Sequence, residues 1–201
     1  MEQQTTETLH DVIQEGDAER IEEYLEQLDA HETAREVCEL SDDDQSAMLT
    51  TLDPTTAAEV LDDLPDVEAV EAVGLLEPAT AAAILHEMPS DDQADMVGSL
   101  DDDEAEAVLG AMDPEEATLL RQLAAYPEDS AGGLMALELF AVRSKAKVGR
   151  VIKLLRADAE RLRQLDVQYA YVTNRERQLV GVLRLRDLLL AESSTPVSDI
   201  M

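Results

Sequence analysis

The stretch LDPTTAAEVLDDLPDVEAVEAVGLLEPATAAAILHEM, Leu52 to Met88, decides how most of this chain folds. Leu52, Leu64, Leu76 and Met88 stand twelve residues apart, and the same spacing continues outward to Leu40, Leu100 and Met112. Eight and nine residues after each anchor comes an apolar pair: Met48/Leu49, Val60/Leu61, Ala72/Val73, Ile84/Leu85, Met96/Val97 and Val108/Leu109. Only the last, Leu120/Arg121, is degraded. A fixed internal period of this kind is the signature of a repeat architecture.

Each unit opens with turn or cap chemistry: Ser41-Asp42, Asp53-Pro54, Pro65-Asp66, Glu77-Pro78, Pro89-Ser90, Asp101-Asp102 and Asp113-Pro114. Asp before Pro reads as an N-cap followed by the first helical position, where a missing N–H is harmless. Twelve residues accommodate a helix of roughly eight or nine plus a tight turn, and a helix that short is marginal alone in water. At 100° per residue the anchor, the pair and the next anchor share one face. Stacking those faces buries them, so the pattern predicts a helical solenoid. Proline at the helix starts excludes continuous long helices. Upstream, Leu9, Val12 and Ile13, then Ile21, Leu25 and Leu28, predict two longer helices around Gly16-Asp17 that cap the array.

The repeat occupies the acidic part of a chain of 201 residues with formal net charge −31. Residues 1–130 hold 38 acids and only Arg20, Arg35 and Arg121, net −35; residues 131–201 hold 8 acids and 12 bases, net +4. So abrupt a charge step reads as a domain boundary. The chain is too apolar for a disordered acidic tail, too acidic to track nucleic acid, and has no run of ~18 apolar residues to cross a bilayer. No secretory signal opens it. Cys38, the sole cysteine, forms no internal disulfide and reads as a buried, inert thiol beside Val37 and Leu40. There is no HExxH, P-loop, GxSxG or CxxC, and His10, His31 and His86 are scattered, so an enzyme is not expected.

Most of the acids read as caps and solvated surface, and three lysines against twelve arginines fit adaptation to high salt. A subset stands out. Repeat position seven carries Glu59, Glu71 and Asp95; position three carries Asp43, Asp91, Asp103 and Glu115. These positions lie four apart, hence on one helix face, and Asp91 with Asp95 is such a pair. Glu59 and Asp95 share a phase three units apart, which predicts one side of the stack for both. Paired carboxylates repel and invite a hard cation such as Mg²⁺.

After Tyr126-Pro-Glu-Asp-Ser-Ala-Gly-Gly133 the pattern changes to strand (139–143), helix (147–158), strand (167–173), turn, strand (179–183) and helix (184–191). With Gly181-Val-Leu-Arg-Leu-Arg-Asp187 this order resembles one CBS repeat. That resemblance implies an adenine-nucleotide site that uses Asp187, Arg186 and Tyr169, although Arg184 stands where the pattern wants Ser or Thr. Tyr169 and Tyr171 otherwise read as one packed and one exposed ring. Val197-Ser-Asp-Ile-Met201 looks like the opening of a second repeat.

The helical repeat, the Tyr126–Met135 element (Tyr-x-x-x-x-Ala-Gly-Gly-Leu-Met) and the CBS-type segment together resemble the cytosolic half of MgtE-type magnesium channels and transporters. The resemblance implies a multidomain fold: an all-α right-handed superhelix, or solenoid, of short helices over 1–125, a linker at 126–135, and a small α/β CBS-type repeat at 136–201 with the second repeat absent. It also implies a cytoplasmic Mg²⁺ sensor in which the ion bridges carboxylates of the two parts and favours a compact closed state. Its sensor acids fall on Glu59, Asp91 and Asp95; Glu71 is added by repeat phase alone. The implied partners are a membrane pore domain of the same protein and a second copy through the CBS region, with no nucleic acid and no direct membrane insertion. The alternatives are a helical-repeat adapter for a protein partner, as in flagellar motor switch proteins, and an adenine-nucleotide sensor.

Overall fold

The computed structural model describes residues 8–127, 130–157, 159, 162 and 167–201, which divide into two compact units, Met1–Met135 and Ala136–Met201. The first unit holds α1 (Leu9–Glu15), α2 (Ala18–Leu25), α3 (Ala30–Cys38), α4 (Asp42–Thr51), α5 (Pro54–Asp63), α6 (Asp66–Gly74), α7 (Pro78–Leu85), α8 (Ser90–Ser99), α9 (Asp102–Ala111) and α10 (Pro114–Leu123). Six apolar pairs, from Met48/Leu49 to Val108/Leu109, are buried at both positions; in the last pair Leu120 is buried and Arg121 is exposed. The two amino-terminal helices are not longer than the rest. Gly16 ends α1 in the left-handed conformation (φ 68°), and Asp17 starts α2 at once by accepting from Glu19 N–H.

Packing partners alternate along the chain. α3 packs on α5, α5 on α7 and α7 on α9, while α4 packs on α6, α6 on α8 and α8 on α10. The solenoid is therefore two rows of helices, and the repeat that matters for neighbours is two units rather than one. Capping follows chemistry locally. Asp53 accepts from Thr55 and Thr56 N–H, Asp113 from Glu115 N–H and the Ser41 hydroxyl from Asp44 N–H. Pro65 and Pro89 have no side-chain acceptor, and Asp101 makes no cap bond.

The second unit has strands β1 (Ala141–Arg143), β2 (Tyr169–Thr173) and β3 (Leu179–Arg184), with α11 (Val148–Ala157), α12 (Leu185–Leu190) and a short 3₁₀ turn at Val197–Asp199. The sheet order is β1-β2-β3; β1 and β2 are parallel, β2 and β3 antiparallel. A parallel pair needs a crossover connection, which here includes α11. Val142, Ala170, Val172 and Leu183 pack with Val148, Val151 and Leu188 on one face of the sheet. The other face is open. Tyr169 and Tyr171, 44% and 42% exposed, both lie there, because residues two apart on a strand share a face. The expectation of one packed ring is corrected. The Val197–Met201 segment folds back on this unit: Val197 is buried, its N–H donates to Ala146 O, and Met201 covers Gly181. An added Cβ at Gly181 would lie 2.7 Å from the Met201 sulfur.

Candidate functional site

The four proposed metal residues sit on three helices. Glu59 is exposed on α5, Glu71 is exposed on α6, and Asp91 and Asp95 are on α8. The two-row packing puts α5 and α8, which carry Glu59 and Asp95, in different rows. Three units apart means opposite rows, whereas Glu71 and Asp95, two units apart, share a row.

Asp91 is the distinctive member. It lies in the first turn of α8, whose N-cap is Pro89 and lacks a side-chain cap. Its Oδ1 is sealed from solvent with no hydrogen-bond partner among the described residues. A carboxylate oxygen in that state carries an uncompensated desolvation penalty. Other acids differ. The Ser41 hydroxyl, with lesser help from His10 and Gln14, holds Asp44 below the usual carboxylate range. Thr56 does the same for Asp53, and Arg121 for Glu106. Asp63 is pushed up by burial and by the charges of Asp62 and Asp29.

One helical turn beyond Asp91, Asp95 is exposed and lines a groove of about 270 Å³ with Asp62, Asp66 and Asp92. It also borders a second groove of about 360 Å³ beside Leu123, Tyr126 and Pro127. The acids Asp62, Asp66 and Asp92 escaped the sequence reading, which compared equal phases in successive units; comparing every second unit brings α6 and α8 together. Among the described residues no three His, Cys, Asp or Glu side chains converge on a position that would hold an ion. Glu71 faces a different groove, described below. Cys38 is exposed, not buried; it closes α3, and partial burial followed by the Glu68 charge pushes its thiol pKa up.

In the second unit the three proposed nucleotide residues gather at one end of the sheet. Tyr169 opens β2 opposite Arg184 at the end of β3. Leu185 N–H donates to Gln168 O, which ties that corner to the start of α12. Arg186 and Asp187 are exposed in the first turn of α12. A groove of about 480 Å³ lies beside Arg143, Tyr171, Thr173 and Arg177 on the same sheet.

The same fold and pattern occur in known proteins. A family model for the MgtE intracellular N domain matches residues 32–129. The crystal structure of the cytosolic domain of the Mg²⁺ channel MgtE in complex with ATP superposes with TM-score 0.83 at 34% identity, covering 96% of this chain and 79% of that one. This chain belongs to the MgtE family. The magnesium transporter MgtE of Thermus thermophilus is 36% identical over 207 residues, all of this chain but 45% of that protein. The chain thus spans less than half the length of that relative. The soluble part of a magnesium transporter also matches, with TM-score 0.79 at 26% identity over 96% of this chain and 75% of that one. The helical superhelix and the CBS-type order of the second unit are both as the sequence predicts. No described helix is long and apolar enough to cross a membrane.

Proposed function

We propose that this chain is a cytosolic regulatory region of an MgtE-type magnesium transporter and that it senses Mg²⁺. The supporting observation is the sealed, unpartnered Oδ1 of Asp91 one helical turn from Asp95, in a unit of net −35. Mg²⁺ takes oxygen ligands, keeps several waters and uses one or two carboxylates per site. Asp91 and Asp95 would supply such carboxylates, and Glu59 would add one from the other row. An ion held by these carboxylates would take its remaining ligands from water or from other groups. Glu71 belongs to a separate groove and is left out of this set.

Such an ion shifts a population. The acidic unit repels neighbouring acids when Mg²⁺ is scarce, and bound Mg²⁺ favours a compact state only as far as it binds that state more tightly. A closed pore at high Mg²⁺ follows if the compact state is the closed one. The partners of this reading are a membrane pore domain of the same protein and a second copy through the CBS-type unit. The test is limited proteolysis and small-angle scattering with Mg²⁺ against KCl at equal ionic strength, because screening alone relaxes self-repulsion. Mg²⁺-specific compaction, lost in Asp91→Asn and Asp95→Asn, supports the reading; equal effects of the two salts refute it.

A second reading has its own observation. Tyr169, Arg186 and Asp187 share one sheet corner, and the relative solved with ATP covers this unit. Adenine nucleotide would bind there, with Asp187 accepting from ribose hydroxyls. Titration with ATP and AMP, lost in Asp187→Ala, tests it.

A further inference from the structure

A groove of about 670 Å³ in the first unit is lined by neither Asp91 nor Asp95. Its lining is mixed and includes Leu40, Val70 and Leu75, the last 40% exposed, beside Cys38, Gln45 and Ser99. Its rim carries Asp42, Glu68, Glu71, Asp101 and Glu104, and no Lys or Arg lines it. None of these five carboxylates makes a side-chain hydrogen bond or ion pair with a described residue. The unit has no base to spare for them. Arg20 pairs with Glu15, Arg35 with Glu36 and Arg121 with Glu106. Asp101 precedes α9 without capping it. Gly74 lines the groove, and a Cβ there would stand 3.4 Å from the Glu104 carboxylate, so a longer side chain at this position would enter the groove beside it.

A volume of about 670 Å³ falls within the ~300–1,000 Å³ range of ligand sites. It far exceeds what one ion with a few waters fills, given ~30 Å³ per water. An exposed leucine with half-buried apolar neighbours inside an acidic rim is the complement of an amphipathic basic helix, which lays anchors spaced i, i+3, i+4 into a groove. We propose that this groove docks a short cationic amphipathic helix of a partner protein, with apolar anchors on Leu75 and its neighbours and Lys or Arg on the five carboxylates. The net charge of −35 would speed encounter with such a partner, and salt would slow it. This does not rest on Mg²⁺ sensing, because neither Asp91 nor Asp95 lines the groove.

The probe is a short fluorescein-labelled helical peptide with leucine at i, i+3, i+4 spacing and lysine or arginine between, followed by anisotropy at about 0.15 M salt. Binding should weaken about tenfold or more, ~1.4 kcal/mol, in Glu71→Gln/Glu104→Gln, in Leu75→Ser and in Gly74→Gln, which fills the groove without changing charge. It should also weaken when the peptide leucines become serine. Glu19→Gln/Glu23→Gln on α2, an equal charge change elsewhere, should leave binding within about twofold. Circular dichroism checks that each variant folds; if Gly74→Gln does not, Leu75→Ser decides. The proposal is overturned if the peptide fails to bind, if the α2 variant weakens it as much, if Gly74→Gln and Leu75→Ser leave it unchanged, or if spermine or Mg²⁺ at equal charge displaces it as well as unlabelled peptide does.

Discussion

The two units solve the same burial problem in opposite ways. The first uses short helices, seven to ten residues each, that contribute small, repeated pieces to one long core. The second closes a single small core around three strands, nine buried residues among those described. The first carries −35 and the second +4. A repeated core tolerates a dense acidic surface because each of the interior helices α5 to α8 has two neighbours to hold it. The small core leaves one sheet face open and is almost neutral. Stability in the array is therefore distributed and charge-limited, while stability in the second unit is concentrated and packing-limited.

The largest effect should come from removing a core side chain in either unit. Leu85→Ala in the array and Leu183→Ala in the sheet each delete a fully buried side chain and should cost about 2–5 kcal/mol. Hydrogen exchange should show the Leu183 loss confined to residues after 136 and the Leu85 loss strongest in α5, α7 and α9. Uniform loss across both units would break the contrast. Next comes salt. KCl should stabilise the acidic unit by about 1–2 kcal/mol, a few degrees in Tm, through screened self-repulsion, and leave the second unit nearly unchanged.

Capping comes third and divides the array internally. Asp53→Ala removes a cap that holds two N–H groups and should cost about 1 kcal/mol in denaturant melts. Asp101→Ala removes a carboxylate that caps nothing and should fall within about 0.5 kcal/mol of zero. The smallest effect is pH dependence. His86 Nδ1 stands 2.7 Å from Glu116 Oε1, and that carboxylate raises the His86 pKa. Its stabilisation is complete below the ordinary histidine value of about 6.5 and fades as pH rises through the raised one. The side chain is mostly exposed, so a few tenths of a kcal/mol is expected. A stability difference between wild type and His86→Gln that does not shrink on going from mildly acidic to alkaline pH would contradict this.

The array was largely legible because its signal is periodic. Five of the seven anchors and all six intact pairs are buried in the core, Leu40 and Met112 are half-buried against it, and the single degraded pair ends in exposed Arg121. Which helices touch was not legible, since a twelve-residue period is equally compatible with single-file and two-row stacking. That gap hid Asp62, Asp66 and Asp92 as neighbours of Asp95. Cys38 lies at the helix end, where the apolar face turns outward, so its phase misled. The two tyrosines failed for a simpler reason: their spacing of two fixes them on one face of β2, and that face is open. Nothing in the sequence distinguished Asp91 by burial. Burial of a single carboxylate oxygen on α8 depends on which helices pack around it, and that the repeat period left open.

The most direct test of Mg²⁺ sensing is hydrogen exchange at the first turn of α8 in Mg²⁺ and in KCl of equal ionic strength. Mg²⁺ should slow exchange around Asp91 and Asp95 beyond the effect of KCl, and Asp91→Asn should remove the difference. Identical protection in the two salts, or a Mg²⁺ effect that survives Asp91→Asn, would contradict the assignment.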